Sequence, residues 1–369
     1  MNLALDPLVA VVLPPREGFG PGRTGAIGLL ARRLTRTPGF RTVVIGGPQE
    51  GALFPGIDFR PVTPTLFWPG STNIRFAVSV AGVLRKLKPA LVEVHNRPEL
   101  ALTLANRLPG IPVTLILNND PQDMRQSATP AERSAMLGKL AMVMTSSAWL
   151  RARLLDGVPN PARPPIVLPN CLDLTELPPP RRRERMIMFA GRVVREKGPD
   201  AFVSACAAAL PHLVGWRAEI IGADRFRADS PDTEFSLAVR ASAEAATVHM
   251  RGYRDHPDVL AAMGRAAIVV VPSRWPEPFG LVALEALASG AALICSPRGG
   301  LPEVAGDAAV YADPDRPADI AAAIKALARD EPRRSALAEL GRARARLFDV
   351  PAIGAQLAAL RRQVIAGGG

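Results

Sequence analysis

The segment Ser273-Arg-Trp-Pro-Glu277-Pro-Phe-Gly280-Leu-Val-Ala-Leu-Glu285-Ala286 carries two carboxylates eight residues apart. It follows the apolar run Ala266-Ala-Ile-Val-Val-Val-Pro272, so the pattern predicts a strand, a loop, and a helix opening at residues 279–281. A helix start presents unpaired N–H groups at the positive end of its dipole, which suits a phosphate. Glu277, on the entering loop, can accept hydrogen bonds from hydroxyls beside that phosphate. Glu285, about two turns further on, can reach a neighbouring diol such as a ribose. Hydroxyls, pyrophosphate and ribose in a row describe a nucleotide-sugar. The same spacing also fits an ordinary strand–turn–helix unit with two solvated glutamates.

A second segment supplies cations. After the apolar run Met186-Ile-Met-Phe-Ala190 comes Gly191-Arg192-Val-Val-Arg195-Glu-Lys197-Gly198. Arg192 and Lys197 thus follow the carboxyl end of an expected strand, where open α/β sheets bind their ligands. Two cations there suit a pyrophosphate, and Gly191 and Gly198 allow close backbone approach. A basic loop of this kind, taken alone, also fits a solvated turn. With the Glu-x7-Glu segment and Ser296-Pro-Arg-Gly-Gly-Leu-Pro-Glu303 beyond it, the chain resembles the family-4 retaining glycosyltransferases (glycosyl transferases group 1) of the GT-B fold. The resemblance runs from about residue 8 to residue 350 and is more specific in the second half.

That resemblance implies a fold and a division of labour. The fold class is α/β, with two doubly wound, Rossmann-like domains facing a central cleft. The second domain is expected to hold a nucleotide-diphosphate sugar, UDP- or GDP-linked. Glu285 would take the ribose, Glu277 with the Phe279, Gly280 and Leu281 amides the sugar and phosphate, and Arg192 and Lys197 the pyrophosphate. Gly222 and Tyr253 are candidates to flank the base. Anomeric configuration would be retained by a front-face transfer in which the leaving phosphate takes the acceptor proton. His95 closes the pattern Leu91-Val-Glu-Val-His95 at another strand's carboxyl end, and the family places a His at that position beside the acceptor and the reacting carbon. A core histidine would fit the same pattern. Relatives often carry His at the position of Asn118, and an asparagine cannot shuttle a proton near neutral pH.

The first half also contains Gly18-Phe-Gly20-Pro-Gly22-Arg-Thr-Gly25 after the first expected strand. Its Gly-x-Gly-x-x-Gly spacing raises an alternative, an NAD-dependent sugar-nucleotide epimerase or dehydrogenase. Two features speak against that. Residues 14–19 separate strand and pattern, and the second strand ends Ile45-Gly-Gly-Pro48 with no acidic residue for a ribose. The family instead uses a glycine loop here to line the cleft near the donor phosphate, which makes Gly18, Gly20 and Gly22 candidates. A non-catalytic nucleotide-sugar-binding protein of the same fold is a further alternative, prompted by Asn118. Asp313-Pro-Asp315 has the letters of a metal motif but sits in turn chemistry, and His212, His249 and His256 lack ligand spacing. No metal and no cofactor besides the donor are expected.

The elements that must position these residues alternate along the chain. Apolar runs at 8–13, 41–45, 59–62, 91–94, 113–117 and 143–146 read as strands, with helical patterns at 24–35, 73–87, 99–108, 130–140 and 148–155. The second half repeats the scheme with strands at 186–190, 217–221, 248–252, 268–271 and 292–295. Short, continuously apolar strands between amphipathic helices indicate parallel sheets covered on both faces. Domains are therefore expected at 1–176 and 186–350, with a Pro- and Arg-rich linker at 177–185. The helix in 351–369 is expected to cross back to the first domain.

Composition is consistent with this reading. The chain has 369 residues, 48% of them hydrophobic, enough for two cores. Three scattered cysteines suggest neither a disulfide framework nor a metal knot, so a reducing, cytoplasmic compartment is expected. The apolar start carries Asp6 and reads as a buried strand rather than a leader, and no run of eighteen apolar residues suggests a membrane span. Net charge is +11, and residues 1–175 hold 19 Lys and Arg against 11 Asp and Glu. The basic helix end Arg85-Lys86-Leu87-Lys88 suits peripheral contact with an anionic membrane rather than nucleic acid. The expected acceptor is a glycan or lipid-linked hydroxyl at the inner face of a bacterial membrane, as in lipopolysaccharide or exopolysaccharide synthesis.

Overall fold

A computed structural model describes residues 6–179, 181–225 and 230–367. The chain forms two compact units, residues 1–171 with 350–369, and residues 172–349. The first contains seven strands: β1 (Leu8–Val12), β2 (Arg41–Gly46), β3 (Asp58–Pro61), β4 (Leu91–His95), β5 (Val113–Leu117), β6 (Met142–Thr145) and β7 (Ile166–Val167). They form one parallel sheet in the order β3-β2-β1-β4-β5-β6-β7. The second contains β8 (Glu184–Ala190), β9 (Arg217–Ile221), β10 (Val248–Met250), β11 (Ala266–Val271), β12 (Ala292–Cys295) and β13 (Ala309–Tyr311). These are also parallel, in the order β10-β9-β8-β11-β12-β13. Helices link successive strands in both units, apart from β2 and β3, which a loop joins, so each is a doubly wound, Rossmann-like domain.

The strands read as unbroken apolar runs because both faces are covered. In β8, Met186 and Met188 enter one core with Leu284, Leu287 and Leu293, while Ile187 and Phe189 enter another with Phe202, Ile220 and Ile324. Alternate side chains point to opposite faces, and each face is packed by helices. Two short edge strands, β7 and β13, fall below the length at which an apolar run reads clearly as a strand.

The boundary between the units differs from the Pro- and Arg-rich linker expected at 177–185. Leu172 already packs in the second unit's core, bridges Asp349, and donates its N–H to Phe348 O at 2.9 Å. Leu174 N adds a bond to the Asp349 carboxylate at 3.2 Å. These contacts draw the chain into the second unit before the polar segment begins, and Glu184 is already in β8. Pro180 of that segment lies outside the described residues.

The final helix, Val350–Gly367, packs in the first unit. Its Arg361 forks onto Glu93 of β4, Nε to Oε2 at 3.1 Å and Nη2 to Oε1 at 2.9 Å, with both side chains almost fully buried. Burial alone would raise the Glu93 carboxyl, but Arg361, with a smaller contribution from His95, holds it down at about 2. A buried pair of this kind adds little net stability when intact, yet losing one partner strands the other's charge. Arg361→Ala should therefore cost about 3–5 kcal/mol, and Glu93→Leu with Arg361→Met should recover most of it. Because the folded carboxyl sits below its ordinary 4.5, the pair contributes fully above about pH 4.5 and loses its contribution as pH falls through about 2. Melting curves recorded against pH should show that acid step in the wild type and not in the double variant.

Candidate functional site

In the second unit the strand order reverses between β8 and β11, which makes the ends of these two strands the switch point of the sheet. Ligands of open α/β sheets bind in the crevice at such a point. The loop after β8 carries Gly191, Arg192 and Lys197, and the loop after β11 carries Ser273, Glu277 and Gly280. They are stitched together by backbone carbonyls: Glu196 O accepts from Arg274 N at 2.9 Å, Trp275 N at 3.0 Å and Ser273 Oγ at 3.2 Å, and Arg195 O accepts from Arg274 Nη1 at 3.1 Å. Across this seam Lys197 Nζ meets Glu277 Oε1 at 2.5 Å, and Ser273 Oγ donates to the same oxygen at 2.8 Å. Two residues eighty positions apart thus share one polar centre, and Ser273 joins them without having been singled out from the sequence.

Gly280 caps the helix Leu281–Ala288 with φ of 101° and no side chain on the first-turn amides. A Cβ at Gly280 would also lie 2.5 Å from Leu301 Cδ2. The helix start is therefore shaped by a residue without a side chain, and its amides face the loop that bears Glu277. Phe279 is buried and packs edge-to-face on Phe348, with ring centroids 5.6 Å apart, so its side chain anchors the loop.

Glu285 is only 5% exposed, and its Oε1 lies 2.7 Å from His256 Nε2. His256 opens the helix His256–Arg265, and its pairing with a helix 29 residues away carries no sequence spacing that could have announced it. Gly222 follows β9 and donates its N–H to Gly252 O at 2.9 Å, while Tyr253 follows Gly252 and donates to Asp255 at 3.3 Å. Burial first, and Asp255 second, push the Tyr253 phenol above its ordinary value. The order Gly222, Gly252, Tyr253, Asp255, His256, Glu285 is thus a continuous chain of contacts and neighbours.

Residues 178–344 match the sequence pattern of the family described as glycosyl transferases group 1. The second domain belongs to that family. D-inositol 3-phosphate glycosyltransferase of Corynebacterium aurimucosum is 33% identical over 177 residues, 47% of this chain and 42% of its own length. The chain therefore spans less than half of this curated relative. Among solved structures, sucrose-phosphate synthase from Thermosynechococcus elongatus matches with TM-score 0.79 and 20% identity, over 97% of this chain and 99% of the other. HepE of Anabaena, solved in complex with UDP, matches with TM-score 0.77 and 17% identity, over 96% and 99%. At these identities the likeness shows the fold, that of the GT-B glycosyltransferases.

The group 1 match stops short of the first unit, whose candidates have a different character. His95 ends β4 and is buried, and neither ring nitrogen has a hydrogen-bond partner; Nε2 lies 3.7 Å from Glu93 Oε1. Asn96, at φ of 55°, accepts from Asn118 N and Asn119 N, both at 3.1 Å, but its own Nδ2 is unpaired. Both side-chain amide atoms of Asn118 are buried and unpaired as well. Three unsatisfied polar side chains at the carboxyl edge of β4 and β5 carry a desolvation cost that a polar ligand would relieve.

Gly18, Gly20 and Gly22 have local structural reasons. A Cβ at Gly18 would lie 1.9 Å from Arg23 O, one at Gly20 2.2 Å from Ala52 O, and Gly22 occupies a turn at φ of 70°. The loop thus folds tightly on itself at Gly18 and against the Ala52 backbone at Gly20. Glu17, not singled out from the sequence, places Oε1 3.0 Å from Gly28 N and fills the start of the helix Ala26–Leu34. Burial raises its carboxyl above the ordinary value, against opposing contributions from Gly28, Arg97 and His95. A carboxylate thereby occupies the place where a dinucleotide fingerprint would seat a pyrophosphate.

Asp313 and Asp315 are engaged by arginines. Arg298 Nη2 reaches Asp313 at 3.1 Å and Asp315 at 2.6 Å, and Arg274 Nε reaches Asp315 at 3.0 Å. The Arg298 hydrogen bond, the largest cause, holds the Asp315 carboxyl below its ordinary range. Arg274 also forks onto Asp200 at 2.7 and 2.9 Å, so this cluster braces the two loops from beneath.

The geometry of the helix start can be tested by stability alone. Gly280→Ala adds a methyl group at a positive φ and against Leu301, and should cost about 1–3 kcal/mol. Denaturant unfolding should report that loss.

Proposed function

We propose that the chain is a retaining glycosyltransferase that moves a sugar from a nucleotide-diphosphate donor to an acceptor hydroxyl. The observation that carries this reading is the Lys197–Glu277–Ser273 centre at the switch point, beside a helix start shaped by Gly280. Lys197 and Arg192 supply positive charge for the diphosphate. The amides at Phe279, Gly280 and Leu281 supply dipoles aimed at the same group. Both bonds to Glu277 fall on Oε1, which leaves Oε2 to accept from sugar hydroxyls. Glu285 takes the ribose hydroxyls, with His256 orienting its carboxylate, and Gly222 and Tyr253 border the base.

In a front-face transfer the bond from anomeric carbon to phosphate breaks as the acceptor oxygen attacks from the same side. The leaving phosphate oxygen then takes the acceptor proton, so the enzyme supplies no nucleophile. Charge accumulates on the diphosphate in the transition state, and cations placed there act most strongly at that moment. His95, Asn96 and Asn118 offer unpaired polar atoms for the hydroxyls of the acceptor. The donor base is uracil or guanine; HepE, the structural relative solved with UDP, makes uracil the first to try. The acceptor is a glycan or lipid-linked hydroxyl of a surface polysaccharide. Among the described residues no helix is long and apolar enough to cross a membrane; the contact with a bilayer proposed here is peripheral.

Donor choice is read by melting the protein with UDP-, GDP- and ADP-sugars. One class should raise the melting temperature, and NAD should not. Arg192→Ala and Lys197→Ala should each lower turnover about a hundredfold. Glu285→Ala should act mainly on the donor Michaelis constant. Wild-type turnover in both cation variants would remove the diphosphate assignment.

His95→Asn separates a reacting-centre role from a core role. Turnover should fall while the melting temperature stays near wild type; a large loss of stability with activity kept would make it a packing residue.

A further inference from the structure

We propose that the loop Thr63-Pro-Thr-Leu-Phe-Trp-Pro-Gly70 inserts Leu66, Phe67 and Trp68 into the headgroup region of an anionic lipid bilayer. Leu66 is 80% exposed, Phe67 97% and Trp68 42%, three consecutive large apolar side chains facing water. Scattered exposed apolar residues need no explanation, but three in a row on one loop mark an interaction surface. Among the described residues, the other large apolar side chains more than half exposed, Val214, Leu237, Leu340 and Leu347, are separate from one another in sequence. Pro64 and Pro69 stiffen the loop at both ends, which lowers the entropy lost on docking.

Charge decides what kind of surface receives it. Residues 62–92 hold four Lys and Arg and no Asp or Glu, while Arg60 just before them is forked onto Asp58. The loop is physically joined to that positive field: the Arg107 guanidinium lies 4.3 Å from the Trp68 ring centroid, and Arg85 Nη2 donates to Arg107 O at 3.1 Å. Arg85 and Lys86 end the helix Thr72–Leu87, and Lys88 caps it. Aromatic and aliphatic side chains flanked by arginines and lysines match the two layers of a membrane interface, apolar inside and anionic at the headgroups. A second copy of the chain fits worse. A self-complementary contact around this loop would bring the all-cationic segment against its own copy.

The proposal builds on the acceptor reading above, because a lipid-linked acceptor requires an enzyme held at the bilayer. Vesicle binding is measured without donor or acceptor, so failure of the docking proposal and failure of the transfer reading are separate results. The full chain is sedimented with vesicles of phosphatidylglycerol and phosphatidylcholine in equal parts, and with phosphatidylcholine alone, at low and high salt. Recovery should need the anionic lipid and weaken as salt rises. Leu66→Ser with Phe67→Ser should weaken binding by about tenfold or more at unchanged melting temperature. Brominated lipid should quench tryptophan emission, and Trp68→Phe should remove the quenched component. Wild-type recovery of the double serine variant would overturn insertion, as would negligible recovery on both vesicle types. A concentration-dependent dimer lost in the double serine variant would assign the loop to self-association and overturn the bilayer proposal.

Discussion

A parallel sheet whose strand order reverses must send two neighbouring connections to opposite faces, and the space they leave cannot be filled by the helices that follow. In the second unit that space lies between the loops after β8 and β11, and the candidate donor site depends on how those loops are held. A single backbone carbonyl, Glu196 O, accepts from three donors on the opposite loop. Below it, Arg274 and Arg298 tie Asp200, Asp313 and Asp315 into a brace. The Lys197–Glu277 pair can then be set at a fixed place beside a helix start. Geometry of that kind supports catalysis by charge, because dipoles and cations already in position need no reorganisation when charge develops.

The two units prepare polar groups for a ligand in opposite ways. In the second unit the candidate side chains already have partners, Lys197 in Glu277 and Glu285 in His256. A diphosphate or ribose would exchange one partner for another rather than meet a bare charge, which limits the cost of keeping the site folded while empty. In the first unit, His95, Asn96 and Asn118 keep buried atoms without partners. That arrangement has a standing cost in stability, and the surrounding structure must offset it. The buried Arg361–Glu93 fork lies two residues from His95 on the same strand face, so the final helix is anchored beside the unsatisfied group.

The alternation of short apolar runs with amphipathic stretches was enough to read two doubly wound domains, because period-two and 3.6-residue patterns are local properties of the chain. The same locality made the loops at 191–198 and 272–280 legible. A glycine, a cation or a glutamate directly after an apolar strand must sit at that strand's carboxyl end, whatever else the fold does. The helix start at Gly280 and the strand end at His95 were likewise readable from position alone.

What the chain did not announce depends on residues far apart in sequence. Nothing in the spacing links His256 to Glu285, Glu17 to Gly28, or Arg361 to Glu93, since each pair is made by packing one element against another. The unit boundary moved for the same reason: the contacts of Leu172 with Phe348 and Asp349 outweigh the linker-like composition that follows. The glycine pattern at 20–25 looked like a phosphate loop, but tertiary structure put the Glu17 carboxylate at that helix start and turned the glycines to close backbone packing. Local sequence determined which residues stand at the ends of strands and the starts of helices. Only the tertiary structure decided which of them are paired, which are left unsatisfied, and which apolar side chains, Leu66, Phe67 and Trp68, remain outside any core, because pairing and burial are set by neighbours the chain brings from elsewhere.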